Sequence, residues 1–382
     1  MTTTFSIEFF IVIALAIGAT FFVFVVSIGL IINKWVEQRN VRKHERLYGY
    51  YSELLADLLL QPVPGLPAGH RTSALFDQYE ALLVPVKSGL SWSTPARKGL
   101  HRTAIRNVLV DFAQDLTGES LNRLQYFFYS LGFVDEEITL LESRQWWVRA
   151  QAARNLGLLR ARRATSALTL ALEDRHDDVR NEAMQSLVVL VGVEALGAIF
   201  EMVKGITRWT GLGLSIIVRQ FEDRSIPYLI KALKSEDQSV VLFSIEMLAE
   251  IGFVSAVDPL IELARDYPNI TIRSAAIQAL GRLSDERSER LLRELLANPY
   301  PSIRASAVKA LERVGSPGSI PYLVERVLAG EIQERLSAGR ALARSGKRGL
   351  EELRMFTGHR DQLVKRVAAH VLEEVEGLGE RS

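Results

Sequence analysis

The chain has 382 residues, of which 48% are hydrophobic and 24% charged, and its formal net charge is +1. This is enough apolar material for a large buried core. It has no cysteine, which excludes disulfides and thiol chemistry and agrees with a reducing compartment.

Residues 9–32, FFIVIALAIGATFFVFVVSIGLII, carry no charge, and about 20 apolar residues suffice to cross a bilayer. This run predicts a transmembrane helix after a short extracytoplasmic tail, residues 1–8. Only Glu8 is charged ahead of it, whereas Lys34, Arg39, Arg42, Lys43 and Arg46 follow, so the positive-inside rule places the rest of the chain in the cytoplasm. The expectation is a single-pass protein of the inner (plasma) membrane. Lys34, Trp35, Arg39, Arg42 and Lys43 are its expected membrane-interface residues.

Residues 33–70 read as a basic juxtamembrane helix running to a Pro/Gly linker, QPVPGLPAGH from Gln61. The helix is apolar on one side late in its course, at Leu54, Leu55, Leu58 and Leu59. Residues 71–145 predict a helical capping segment with helices near 72–87, 95–116, 119–132 and 135–145. Thr94 before Pro95 makes a helix start. The aromatics of LQYFFYSLGF from Leu124, with Trp146 and Trp147, are expected to pack in the core of the cap and first repeat.

From residue 146 to 377 one helical pattern recurs. Its reference column is Leu156, Leu187, Val218, Leu248, Leu280, Leu311, Leu342 and Leu372, with spacings of 31, 31, 30, 32, 31, 31 and 30. A fixed period of this size marks a solenoid. Four residues earlier stand Ala152, Ala183, Leu214, Ser244, Ala276, Ala307, Ala338 and Ala368, mostly small. Three residues later stand Leu159, Leu190, Phe221, Ile251, Leu283, Val314, Ser345 and Val375, mostly large. Both offsets share one helix face. Glycines at 252, 315 and 346 suit helix ends. A second apolar run follows, as in SIPYLIKAL from Ser225 and SIPYLVERVL from Ser319, and Pro227 and Pro321 fit a first helical turn. Each unit is therefore two helices that must stack on neighbours to bury their apolar faces. A tail, residues 378–382, closes the chain.

The third unit departs from the pattern: GITRWTGLGLSIIVRQFED from Gly205 has three glycines and Trp209, which predicts a local break in curvature. Seven residues before the reference column stand Arg149, Arg180, Arg273, Arg304, Arg335 and Lys365. A basic ladder of this kind either binds an acidic partner or pairs with acids inside the array, and internal pairing is the expectation.

Two-helix units of about 31 residues resemble HEAT repeats, especially the short type found in phycobilin lyases. Asp177, Val179, Arg180, Ala183 and Leu187 match the first helix of such a unit, and Ile320, Pro321, Leu323 and Val324 the second. The resemblance implies an all-α fold: an armadillo-like α-solenoid of about eight two-helix repeats behind the N-terminal span. It does not fix function.

No catalytic constellation stands out. There is no Walker loop, no His-Glu-x-x-His and no Gly-x-Ser-x-Gly, and the six histidines lack metal-ligand spacing. No cofactor, metal, small-molecule substrate or nucleic acid is expected. The expected function is a membrane-tethered cytoplasmic scaffold that binds a protein partner, within an envelope or polysaccharide assembly of the inner membrane. The alternatives are a phycobilin-lyase-like enzyme and a nucleic-acid-binding HEAT protein. Against the latter, residues 222–294 carry 9 Lys+Arg and 13 Asp+Glu, a net −4 in mid-array. The partner is expected on the second helices of units three to six. Leu229 with Ile230, Leu260 with Ile261, Leu291 with Leu292 and Leu323 with Val324 are expected to turn inward there, leaving Tyr228, Lys231, Glu262, Arg265, Arg293, Tyr322, Glu325 and Arg326 outward.

Overall fold

The computed structural model describes residues 7–60, 79–88 and 95–379, and every described element is helical. The Pro/Gly linker from Gln61 and the Thr94 cap lie outside these residues, although a helix does open at Pro95. The chain divides into two compact units: residues 1–137 with 158–161, and 138–157 with 162–382.

The first unit contains α1 (Ile7–Leu60), α2 (79–88), α3 (Pro95–Asp115), α4 (Gly118–Ser130) and the start of α5 (Phe133–Leu140). Leu55, Leu58 and Leu59 of α1 are buried as their spacing demands, with Leu83 of α2, Ile105 and Leu109 of α3, and Leu124, Phe127 and Phe128 of α4. The Phe128 and Phe133 rings meet at 5.3 Å. The end of α1 has a specific stop. Arg123 of α4, itself buried, donates from Nη1 to the Leu58 carbonyl at 2.8 Å and the Leu59 carbonyl at 3.3 Å. Terminal carbonyls that no helical N–H can reach are thus satisfied by a charged donor.

The N-terminal anchor expected from residues 9–32 requires correction. Among the described residues, the helical stretch long and apolar enough to cross a membrane is Asp177–Met202, deep in the chain. The described apolar part of α1, Thr20–Trp35, is shorter than a span, and the side chains before Thr20 lie outside the description. Asp177–Met202 is itself two helices, broken at Gly192 with φ 77°, and 61% of its most apolar window is buried within the unit. It passes a hydropathy test because it is the core of a repeat. The transmembrane helix at the N-terminus, the inner-membrane location and the tethered scaffold are therefore withdrawn. Lys34, Trp35, Arg39, Arg42 and Lys43, expected at a membrane interface, are exposed residues of α1.

The second unit is the repeat array. First helices are α6 (Trp146–Leu158), α8 (Asp177–Val191), α10 (Arg208–Phe221), α12 (Gln238–Ile251), α14 (Ile270–Leu283), α16 (Pro301–Val314), α18 (Ile332–Arg344) and α20 (Gln362–Gly379). Second helices are α7 (Thr165–Ala171), α9 (Ala195–Met202), α11 (Ile226–Ala232), α13 (Val257–Asp266), α15 (Glu286–Leu295), α17 (Ile320–Ala329) and α19 (Lys347–Phe356). The described residues thus give seven pairs and a final unpaired helix, where eight pairs were expected. First helices pack on first helices (α12 on α14, α14 on α16, α16 on α18) and second on second (α7 on α9, α13 on α15), forming two layers.

The reference column is buried from Leu156 to Leu342, and the column four earlier is buried throughout. Leu372 is only half-buried and Val375 exposed, as no helix beyond α20 covers them among the described residues. The column three later is less buried than its size suggested, with Phe221, Ile251, Leu283 and Val314 all half-buried. The missing wall comes from eight residues before the reference, where Val179, Val240, Ile272 and Ile303 are fully buried. Gly252 and Gly315 close their helices in the left-handed region, and Ser284 does so at α14 with φ 51°. Gly346 has a positive φ but sits ahead of α19 rather than in a left-handed cap.

In the third unit the glycines do not interrupt the helix, although α10 packs less extensively on α12 than the later first helices do on one another. α10 is a continuous 14-residue helix opened by Thr207, whose hydroxyl accepts from the Thr210 amide. Thr210 fills the slot that holds valine or isoleucine elsewhere and is fully buried. Gly213 is a packing glycine: a Cβ there would lie 2.8 Å from Asn181 Oδ1 on α8.

Candidate partner-binding surface

The second helices hold a fixed pose through a buried small residue at the start of each. Ala164, Ala195, Ser225, Ala256, Ser288 and Ser319 are buried and recur at the array's period, and Gly349 serves α19. Ser225 and Ser288 each donate from Oγ to a carbonyl three residues back at 2.7 Å, and Ser319 donates to Glu289 Oε1 at 2.8 Å. A hydroxyl that satisfies itself locally is tolerated in a tight apolar contact. This column was missed in the sequence, although its period was there to read.

Four residues beyond, Leu168, Ile199, Leu229, Leu260, Leu292, Leu323 and Leu353 are fully buried. Of the outward candidates, Lys231, Glu262, Arg265, Tyr322 and Glu325 are exposed, whereas Tyr228, Arg293 and Arg326 are half-buried; of the inward ones, Ile230, Ile261 and Val324 are only half-buried, because they flank the buried stripe instead of facing the core. The candidates do not form one uniform row. Arg293 lies 5.6 Å over the Tyr322 ring and donates to the Gly318 carbonyl at 3.3 Å, tying α15 to α17. Arg326 pairs with Glu325 at 2.7 Å. Lys231, Glu262 and Arg265 have no ion-pair partner among the described residues.

Tyr228 and Lys231 open onto a groove of about 680 Å³ between α9 and α11. Phe200, Val203 and Ala232 give it an apolar floor, and Lys204, Lys231, Lys234, Glu201 and Glu236 stand around it. The Tyr228 ring passes over Gly197, where an added Cβ would meet it at 3.6 Å. Asp237 fixes one end: it accepts from the Gly205 amide at 2.7 Å and the Ser239 amide at 2.8 Å, and from Ser239 Oγ at 2.6 Å. Burial pushes its carboxyl up, but these hydrogen bonds outweigh burial and hold it below the ordinary carboxylate value. The groove thus has a rigid end, an apolar floor and a rim of mixed charge, the composition of a protein-contact surface.

The arginine ladder is internal. Arg149 makes a two-pronged bond to Asp174 at 2.6 and 2.7 Å and reaches the Ser143 carbonyl at 2.8 Å. Arg180 bonds Asp177 and the Asp174 carbonyl. Arg273 holds the Ala264 carbonyl at 3.2 Å, Arg304 holds Glu334 at 3.1 Å and two loop carbonyls, and Arg335 holds the Gly330 carbonyl at 2.6 Å. Arg149, Arg180, Arg304 and Arg335 stitch their helix starts to the loop before them, and Arg273 reaches back to the end of α13. Only Lys365, at the last helix, is exposed. Trp146 and Trp147 depart from the core expectation: Trp147 is 55% exposed, and Trp146 stacks on His176 at 3.9 Å.

The HEAT-repeats family profile matches residues 211–280 and 257–343, a segment within the array. No curated protein matches the chain. Among solved structures, YibA of E. coli is 17% identical with a TM-score of 0.37, over 74% of this chain and 100% of its own. Kap121p is 11% identical with a TM-score of 0.37, over 86% of this chain, and the chain spans only 45% of Kap121p. The CpcE–CpcF complex of phycocyanin lyase from Nostoc sp. PCC7120 is 19% identical with a TM-score of 0.26, over 81% of this chain and 100% of that one. Likeness of this size carries nothing about what this chain binds. With its period, its two layers of helices and its profile match, the array is an α-solenoid of HEAT-like repeats.

Proposed function

We propose that this chain is a HEAT-like scaffold that binds a protein partner on the second-helix face of its array, centred on the groove between α9 and α11. The observation that carries this reading is the groove itself. It joins an apolar floor at Phe200, Val203 and Ala232 to an aromatic wall at Tyr228 and to the unpaired cation Lys231. Aromatic anchors beside desolvated apolar surface supply most of the energy in protein interfaces, and a rim of both charge signs selects the partner. The chain acts by binding rather than by catalysis.

The test is recovery of partners on the full chain bearing Tyr228→Ala with Lys231→Glu. We expect a set of proteins held by the wild type to drop out while circular dichroism and melting stay unchanged. Tyr322→Ala, on α17, should reduce recovery less, because its ring is already engaged by Arg293. Unchanged recovery in the α11 double variant sinks the reading.

A further inference from the structure

The first unit carries a basic stripe that nothing above uses. Trp35, Arg39, Arg42, Lys43 and Arg46 fall at helical spacing on one face of α1, and Arg39 lies 5.4 Å over the Trp35 ring. None of these four cations has an ion-pair partner among the described residues. A charged stripe on a helix is ordinarily just solvated. Here its lower end meets a wall. Lys43, Arg46 and Leu47 of α1 and Leu100 and His101 of α3 enclose a notch of about 310 Å³. It adjoins a second hollow of about 390 Å³ lined by Trp35, Arg39 and Arg42 as well as by Lys43 and Arg46.

The His101 ring is not loose. Its Nδ1 is 2.8 Å from the Tyr51 hydroxyl, and the two rings meet edge to face at 5.8 Å. With Nδ1 engaged, Nε2 is the nitrogen left for a ligand, and it donates in the tautomer in which the Tyr51 hydroxyl donates to Nδ1. No acid lines the notch, and Asp111 on α3 accepts from the Tyr48 hydroxyl at 2.7 Å. An ammonium, a guanidinium fork and an imidazole therefore converge on one small hollow with no acid in its lining, floored by two leucines.

We propose that this notch binds a phosphate group, with Arg46 and Lys43 as its cationic clamp and His101 as a third donor, and with Leu47 and Leu100 receiving the apolar part of a phosphate ester. Several donors around a multi-oxygen anion favour phosphate over a carboxylate. The phosphate could belong to a soluble ester or to a lipid headgroup, and the chemistry of the site is the same for both.

The test uses the full chain and inorganic phosphate as probe, read as ³¹P line broadening at fixed ionic strength. We expect broadening by the wild type and binding about tenfold weaker for each charge-assisted contact removed in Lys43→Ala and Arg46→Ala. Arg290→Ala, an exposed arginine of α15, should leave binding unchanged. If Arg46→Ala lowers the melting temperature, Arg46→Gln tests the same charge with its packing kept. Sedimentation with phosphatidylcholine vesicles, with and without phosphatidic acid, distinguishes the sources. Recovery on the acidic vesicles that is lost in Lys43→Ala/Arg46→Ala identifies a headgroup; phosphate binding without such recovery identifies a soluble ester. Absence of broadening, or equal broadening by wild type and double variant, overturns the proposal.

Discussion

Glu334 stands in the column where other units place Val179, Val240, Ile272 or Ile303, and it is just as buried. A carboxylate in an apolar slot needs a cation, and Arg304 supplies it at 3.1 Å from the preceding unit. Arg304→Ala leaves that charge buried and unpaired, so it should cost roughly 3–5 kcal/mol, read as a shift in the urea midpoint. Arg304→Met with Glu334→Leu should recover most of the loss, since apolar residues of similar volume often replace a buried pair without penalty. Equal destabilisation of single and double variants would show that the loss is one of packing. A second residue-scale prediction concerns acid. Burial raises the Asp174 carboxyl, but the Arg149 guanidinium and the His176 amide outweigh it and hold the group below its ordinary value of 3.8. A carboxyl depressed in the folded state stabilises fully above its unfolded value, and that contribution disappears as pH falls through the folded one. The stability gap between wild type and Asp174→Asn should therefore be constant near neutrality and shrink below about pH 4. A gap unchanged at pH 3 would mean that the Arg149 bond is not what the variant loses. The sequence made internal pairing of the ladder legible, because five arginines recur at one position and acids such as Asp177 and Asp178 stand beside Arg180. It did not say which acid: Asp174 lies 25 residues beyond Arg149 and meets it only through the fold of the unit.

At the scale of an element, the first helices were legible because one large and one small column recur on a common face. Two things escaped. The small column that opens the second helices consists of alanines and serines, which do not stand out by hydropathy although they are buried. The glycines of α10 suggested a break, yet α10 is continuous, and Gly213 lies close against the Asn181 side chain. Composition alone cannot separate a glycine that frees the backbone from one that makes room for a neighbour. Gly281 is the sharpest case of the second kind. A Cβ there would lie 2.5 Å from Ala310 Cα, so α14 and α16 must part to admit it. Gly281→Ala should destabilise by roughly 1–3 kcal/mol in spite of better helix propensity. Gly99→Ala, on α3 with open space around its Cβ, should stabilise by roughly 0.5–1 kcal/mol. Thermal melts of the two variants should move in opposite directions; movement in the same direction would contradict the close approach of α14 and α16.

At the scale of the molecule, a period of 31 specified the array because each unit repeats one packing problem, whereas a single apolar run specified nothing comparable. Hydropathy singled out residues 9–32 in the sequence, but among the described residues the same criterion selects Asp177–Met202, a helix pair mostly buried. Length and composition do not record what covers a helix. An array of this kind is quasi-one-dimensional, so damage should stay near its source. Leu280 of α14 is fully buried, and α14 packs on α12, α13, α15 and α16. Leu280→Asp puts an unpaired charge into that contact and should open those helices by local unfolding. Gln278→Asp, exposed on the same helix, should leave protection unchanged. Hydrogen exchange read by peptide should therefore show faster exchange from α12 to α16 in Leu280→Asp, with less change towards α6 and α20. Helices α1 to α4, which belong to the other compact unit, should keep their wild-type rates. If their protection falls as far as that of α14, the chain unfolds as one cooperative block and the division into units has no energetic meaning.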